Sequence, residues 1–245
     1  MKSIRLDKYL ADMECGTRSE IKAAARKGRV QVNGRTEIKT ELKVDPEQDE
    51  IIYDGCLVRY QRWEYYMLNK PQGVISATED KKHRTVIDLL NIPKRKDLFP
   101  VGRLDIDTEG LLLLTNDGDL AHRLLAPHKH VDKVYYARVA GILPADAVSQ
   151  MAAGMTLKDE TKVKPARLQI LNTGIKGMDD DVSEVLLTIH EGKFHQVKRM
   201  FEALDCRVIY LKRLSMGSLK LDEKLKPGEF RPLTAEERKE LLEPR

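Results

Sequence analysis

Between Val101 and Gly118 the chain reads VGRLDIDTEGLLLLTNDG. Asp105, Asp107 and Glu109 stand at alternate positions just before Leu111–Leu114, with Arg103 upstream. An extended backbone would put these carboxylates on one face, but Gly102 and Gly110 predict turns that interrupt the extension. A carboxylate used as a nucleophile must be charged, face its substrate and be held against competing rotamers. The leucine run predicts a buried strand able to hold it, and a nearby cation would stabilise the anion. Arg103, Lys193, Lys198 and Arg199 are the candidate cations. Arg103 is suited to orient a carboxylate through paired hydrogen bonds. The plainer reading of the same residues is a capped turn feeding a core strand. Asp107 would then cap backbone amides and Thr108 make a local turn bond. Residue chemistry alone leaves both readings open.

Other chemistries find less support. His122, His128 and His130 lie in HRLLAPHKHVDK without the HExxH spacing of a zinc helix, and a polar or RNA-facing loop fits them better. His190 and His195 have no evident nucleophile partner, and Asp179-Asp180-Asp181 reads as a solvated loop rather than a metal site. Cys15, Cys56 and Cys206 are odd in number and form no CxxC pair, which argues against a disulfide framework or structural zinc. There is no Walker loop and no GxGxxG, so neither ATP nor a nicotinamide cofactor is expected, and no metal. Tyr135 and Tyr136 would stack on a base or fill the core.

The elements that must position these groups follow from periodicity. Ile4, Leu6, Tyr9 and Leu10 mark one face of a first helix; Thr17 or Ser19 would cap a second, with Ile21, Ala24 and Ala25 inward. GRVQVNG then alternates into an Asn33-Gly34 turn, and short strands follow. From Met1 to Asp45 there are eleven Lys or Arg against seven Asp or Glu, a local excess that equals the +4 of the whole 245-residue chain. Arg5, Lys8, Arg18, Lys22, Arg26, Lys27 and Arg29 would form either a solvated helical face or a phosphate-contacting one. The second part reads as strands at WEYYMLNK, GLLLL, KVYYARVA, ARLQILN, SEVLLTIH, CRVIYLKRL and GSLKL. Helices are predicted over TVIDLLNI (85–92, stopped by Pro93), DLAHRLLA (closed by Pro127), LPADAVSQMAAGM and FHQVKRMFEAL, the last burying Phe194, Val197, Phe201 and Leu204. Strands interspersed with helices predict an α+β fold. The expected division is 1–58, a linker at 59–62, a larger domain at 63–235 and a tail at 236–245, with a short peripheral helix at its start. Leu111–Leu114 is far too short to span a bilayer, and a cytoplasmic protein with no membrane partner is expected.

With these residues in view, the sequence closely resembles the RsuA/RluB/E/F-type ribosomal RNA pseudouridine synthases. VGRLDIDTEGLLLLTNDG resembles their catalytic motif, and DKVYYARV and EGKFHQVKRMFEAL resemble their later active-site motifs. RLSMGSLKLDEKLKPGEFRPLT is similar to their C-terminal section, and RLDKYLADMECGTRSEIKAAARKGRVQVNG resembles an S4 RNA-binding domain. The resemblance implies a small S4-like domain followed by a catalytic domain with an extended mixed or antiparallel sheet around a central cleft. It implies that Asp105 attacks during uridine isomerisation, at the sugar, at the base or by way of a glycal, without metal or cofactor. It further implies support from Asp107, help from Arg103 in arranging the turn or contacting RNA, packing of Tyr135 against the base, and Lys198 as the basic partner of Asp105. Arg199 would contact phosphate or serve local structure, and Gly110 would permit the close turn into the strand. The implied partner is ribosomal RNA or a partly assembled small ribosomal subunit, met by a monomer. A large-subunit RNA target and a non-catalytic RNA-binding role are the alternatives.

Overall fold

The computed structural model describes residues 3–61, 63–91, 97–126, 130–174 and 181–243. The expectations that fall on His128, Pro93, Pro127 and Asp179-Asp180 lie outside the described residues. The chain divides into two compact units, one built on Met1–Trp63 and one on Glu64–Asn91 with Leu98–Arg245.

In the first unit, β1 (Ile4–Arg5) leads into α1 (Leu6–Asp12) and α2 (Arg18–Arg26). Thr17 caps α2 through a reciprocal box: its hydroxyl accepts from the Glu20 amide, and the Glu20 carboxylate accepts from the Thr17 amide at 2.7 Å. The i, i+3, i+4 spacing of Leu6, Tyr9 and Leu10 brings them onto Ile21, Ala25, Val30, Val44 and Ile51 in one small core. Strands β2 (Val30–Val32), β3 (Arg35–Thr36), β4 (Lys43–Val44), β5 (Ile51–Tyr53) and β6 (Cys56–Val58) complete the unit. β3-β2-β5-β6 form an antiparallel sheet, and β1 pairs with β4. Asn33 and Gly34 both take positive φ, the conformation a two-residue hairpin turn requires.

The second unit runs β7 (Tyr65–Lys70), β8 (Phe99–Pro100), β9 (Glu109–Thr115), α3 (Gly118–Leu125), β10 (Lys133–Ala140), α4 (Ala147–Ala153), β11 (Met155–Thr156) and β12 (Lys162–Val163). It continues through β13 (Arg167–Thr173), β14 (Val182–Ile189), α5 (Gln196–Glu202), β15 (Arg207–Met216), β16 (Leu219–Lys220), β17 (Phe230–Pro232) and α6 (Ala235–Leu242). The main sheet has the order β13-β14-β10-β15-β9-β7-β17, with β8 beside β9 and β16 beside β15. Its pairings are antiparallel except β9 with β15, which is parallel over only Glu109↔Lys212 and Gly110↔Arg213. The α+β class and the mixed sheet are as expected.

Leu111, Leu112, Leu113 and Leu114 are all fully buried, so both faces of β9 are covered. Burying the four contributes roughly 6–12 kcal/mol as an upper bound, enough to fix the strand onto which the Asp105 segment is tied. The helix expected over 85–92 is reduced to one 3-10 turn at Ile87–Leu89. Thr85 pairs with Ile75, and both its amide and its hydroxyl donate to the Asp88 carboxylate, so the chain turns once and leaves in extended form at Leu90. Phe194 does not join the buried face of α5; the helix starts later, after a left-handed His195. α6 forms at the expected C-terminal position, capped by Thr234, with Leu241 buried and Glu237 held by Arg231. No helix among the described residues is long and apolar enough to cross a membrane.

Candidate active site

The segment ahead of β9 is fastened from several directions. The Thr108 amide donates to the Asp105 carbonyl at 3.0 Å, closing a turn over 105–108. Ser76 Oγ accepts from the Leu104 amide and donates to the Leu104 carbonyl at 3.0 and 2.9 Å. The Gly73 amide donates to the Ile106 carbonyl at 2.8 Å. Beneath the turn lies Lys70, with no exposed surface at all. Its Nζ donates to the carbonyls of Asp105 and Thr108 at 2.9 Å and of Pro71 at 3.0 Å, matching the donors of an ammonium group. Burial pushes its pKa down to about 8, against the pull of Asp107, Asp105 and Glu109.

Above the turn, α5 presents Lys198. Its Nζ lies 3.2 Å from Asp105 Oδ2 and donates to Asp107 Oδ1 at 2.6 Å. Burial acts to lower the Lys198 pKa, but the hydrogen bond to Asp107 and the charge of Asp105 outweigh it and raise it. Burial likewise acts to raise the Asp107 carboxyl, and Lys198 overrides it, holding Asp107 below the usual carboxylate range. His195 Nε2 approaches Asp105 Oδ1 at 3.5 Å. Asp105 therefore stands between a lysine and an imidazole on the wall of a cleft of about 70 Å³ lined also by Arg103, Thr108, Tyr135, Ile189 and Leu211. Tyr135 points inward from β10, as the alternation of that strand dictates.

A larger cavity of about 330 Å³ lies elsewhere in the same unit, between α3, the segment before β10 and α6. Its lining includes Arg123, His130, Asp132, Glu240 and Glu243, so charge alone does not separate the two; the Asp105–Lys198 pair at the smaller cleft does. Among the described residues no group of three His, Cys, Asp or Glu could hold a metal ion.

The structure divides the charged set differently from its spacing. Asp105 and Asp107 converge on Lys198, but Glu109 leaves them to accept from the Tyr210 hydroxyl at 2.7 Å, because the turn breaks the extended run. Arg103 does not orient a carboxylate: it is exposed at the cleft and makes no ion pair among the described residues. Arg199 is bonded into local structure, its guanidinium meeting Asp159, Thr161 Oγ1 and the Phe194 carbonyl. Lys193 turns away to the Lys162 carbonyl. Gly110 has φ +104°, and a Cβ there would fall 2.8 Å from the Arg213 nitrogen and closer still to its carbonyl oxygen. The glycine serves the approach of β15 as well as the turn.

Of the seven N-terminal cations, Arg5, Lys8, Lys22 and Arg29 are paired with Asp7, Asp12, Glu41 and Asp54. Arg18, Arg26 and Lys27 are exposed without such a partner among the described residues. Arg18, Lys22 and Arg26 fall at i, i+4, i+8 along α2 and share one face.

Sequence reasoning missed Lys70 and set His195 aside. The available signal for Lys70 was a lone charge ending an apolar strand just before Pro71, where a buried cation needs acceptors. His195 gave none, because its carboxylate neighbour is distant in sequence.

Residues 64–203 match the family described as RNA pseudouridylate synthase, and residues 4–51 match the S4 domain. An uncharacterized RNA pseudouridine synthase of Bacillus subtilis (strain 168) is 47% identical over 242 residues, covering 98% of this chain and 99% of its own. The ribosomal small subunit pseudouridine synthase A of Yersinia pestis is 41% identical over 236 residues, 96% of each chain. A crystal structure of a pseudouridylate synthase superposes with a TM-score of 0.66 at 39% identity, over 98% of this chain and 100% of that one.

Proposed function

Since the chain belongs to the RNA pseudouridylate synthase family, we propose that it isomerises a uridine of small-subunit ribosomal RNA to pseudouridine, with Asp105 as the attacking group. The observation that carries the role of Asp105 is its setting: a carboxylate on the cleft wall, its backbone held by Lys70 and its side chain 3.2 Å from the Lys198 ammonium. The N1–C1′ glycosidic bond breaks, the uracil turns within the cleft, and a C5–C1′ bond forms. The C5 proton departs, N1 gains one, and the composition of the RNA is unchanged. Pre-set geometry supplies the effective concentration that keeps the free base from being lost.

The small cleft admits a ring edge rather than a folded helix, so the target nucleotide must leave its stack to react. Tyr135 packs against the incoming base, Asp107 holds Lys198, and Gly110 sets the chain path behind the turn. Residues 1–58 hold the RNA, with Arg18, Arg26 and Lys27 as the cations available to phosphates, and residues 63–235 carry the chemistry. The S4 match over residues 4–51 supports this division. The small-subunit target rests on the relatives named for it. The protein works as a cytoplasmic monomer on free RNA or on a partly assembled subunit.

The test is nucleoside-resolution pseudouridine mapping on unmodified small- and large-subunit ribosomal RNAs and partly assembled subunits, with wild type beside D105N. One site in small-subunit RNA, made by the wild type alone, is expected. A site only in large-subunit RNA would move the target, and equal modification by D105N would remove Asp105 from the chemistry.

A further inference from the structure

Phe194 is 70% exposed, an unusual position for a phenylalanine. It is not loose. Its ring stacks on His195 with centroids 3.7 Å apart and planes 20° from parallel, and His195 Nε2 stands 3.5 Å from Asp105. The turn that carries the two rings is built from both sides. Arg199 donates to the Phe194 carbonyl at 3.0 Å and to Thr161 Oγ1 at 3.0 Å. The Lys193 amide donates to Gln196 Oε1 at 2.9 Å, and Gln196 Nε2 donates to Glu191 at 3.0 Å. His195 itself has φ +46°, a left-handed conformation in which the bonds on either side of it hold the turn.

An apolar ring is thus set in water, one residue from the cleft wall, in an enzyme acting on RNA. Single-stranded RNA is bound largely by stacking bases on such aromatic faces. We propose that the Phe194–His195 stack is a docking platform for a base next to the target uridine. When the uridine turns into the cleft, the flanking base loses a stacking partner, and Phe194 replaces it. His195 joins that platform to the Asp105 wall, so placement of the flanking base and placement of the reacting one are coupled. This rests on the RNA-modifying reading above, and it adds a nucleotide position that the chemistry itself does not touch.

The experiment measures binding of a fluorescein-labelled transcript of small-subunit ribosomal RNA to wild type, F194A and F194Y, with pseudouridine formation followed on the same RNA. F194A should bind about 5- to 150-fold more weakly, the worth of one base–aromatic stack. F194Y should stay near wild type, and thermal melting of both should be unchanged, since the ring buries little. An abasic nucleotide beside the target should weaken the wild type similarly and F194A hardly further. F194A binding as tightly as wild type overturns the proposal whether or not the RNA is modified. Absence of pseudouridine with wild type on every RNA overturns the functional reading and leaves the affinity comparison decisive for Phe194.

Discussion

Replacing Gly110 with alanine should cost far more than an ordinary glycine substitution. At φ +104° the side chain introduces backbone strain of about 1–3 kcal/mol. The new Cβ would also stand 2.8 Å from the Arg213 nitrogen, inside the distance real Cβ atoms tolerate, and the obstacle is backbone that cannot rotate away. Displacing packed structure to relieve such contact costs about 1–3 kcal/mol more. Gly73 is the control, with φ +78° and nothing near its Cβ, so it carries only the conformational part, about 1–2 kcal/mol. For a chain of this length each kcal/mol lowers the melting temperature by about 2–4 °C. G110A should therefore melt about 4–24 °C below wild type and G73A about 2–8 °C below, as followed by circular dichroism. Melting temperatures for the two variants within about 2 °C of each other would refute the claim that the approach of β15, rather than φ, demands a glycine at position 110.

K198M should lose chemistry and keep RNA binding. A charge 3.2 Å from Asp105 is worth about 1–5 kcal/mol between aqueous and protein-like dielectrics, so single-turnover rates should fall about 5- to 5,000-fold; an unchanged rate would defeat the role. Lys70 makes a pH prediction. With its folded pKa near 8 and its unfolded one near 10.4, the unfolded chain binds more protons between these values, so stability from this group rises with pH across that window. Denaturant midpoints should therefore shift in favour of wild type over K70M from about pH 8 to 10, and a constant difference would mean the Lys70 amine stays charged throughout.

Much of this was readable from residue types. The 6-9-10 spacing of Leu6, Tyr9 and Leu10, the Thr17–Glu20 box and the Asn33-Gly34 turn are local codes, and each produced its element. The apolar run at Leu111 also resolved as a strand, since its length exceeds a turn and falls short of a helix. Where the reading slipped, the backbone path outweighed the side-chain spacing. TVIDLLNI has helical spacing, but a pairing between Thr85 and Ile75 takes its start. Phe194 fits the α5 periodicity, but the left-handed His195 delays the helix. Asp105 with Lys198 was expected because motif resemblance carries pairs that spacing cannot. For Arg199 the resemblance named no partner, and Asp159 and Thr161 lie forty residues away or nearly so.

The short parallel contact between β9 and β15 has a mechanical meaning. Asp105 precedes β9, whereas Tyr135 and Lys198 come with β10 and α5, on the β15 side. The two halves of the cleft are thus sewn together along a seam of two residue pairs, extended by the buried Arg213, whose Nε donates to the Leu111 carbonyl at 2.8 Å. Opening that seam would separate Asp105 from Lys198 while every longer ladder stayed intact. The alignment of the two walls of the cleft thus depends on the shortest ladder along the main sheet.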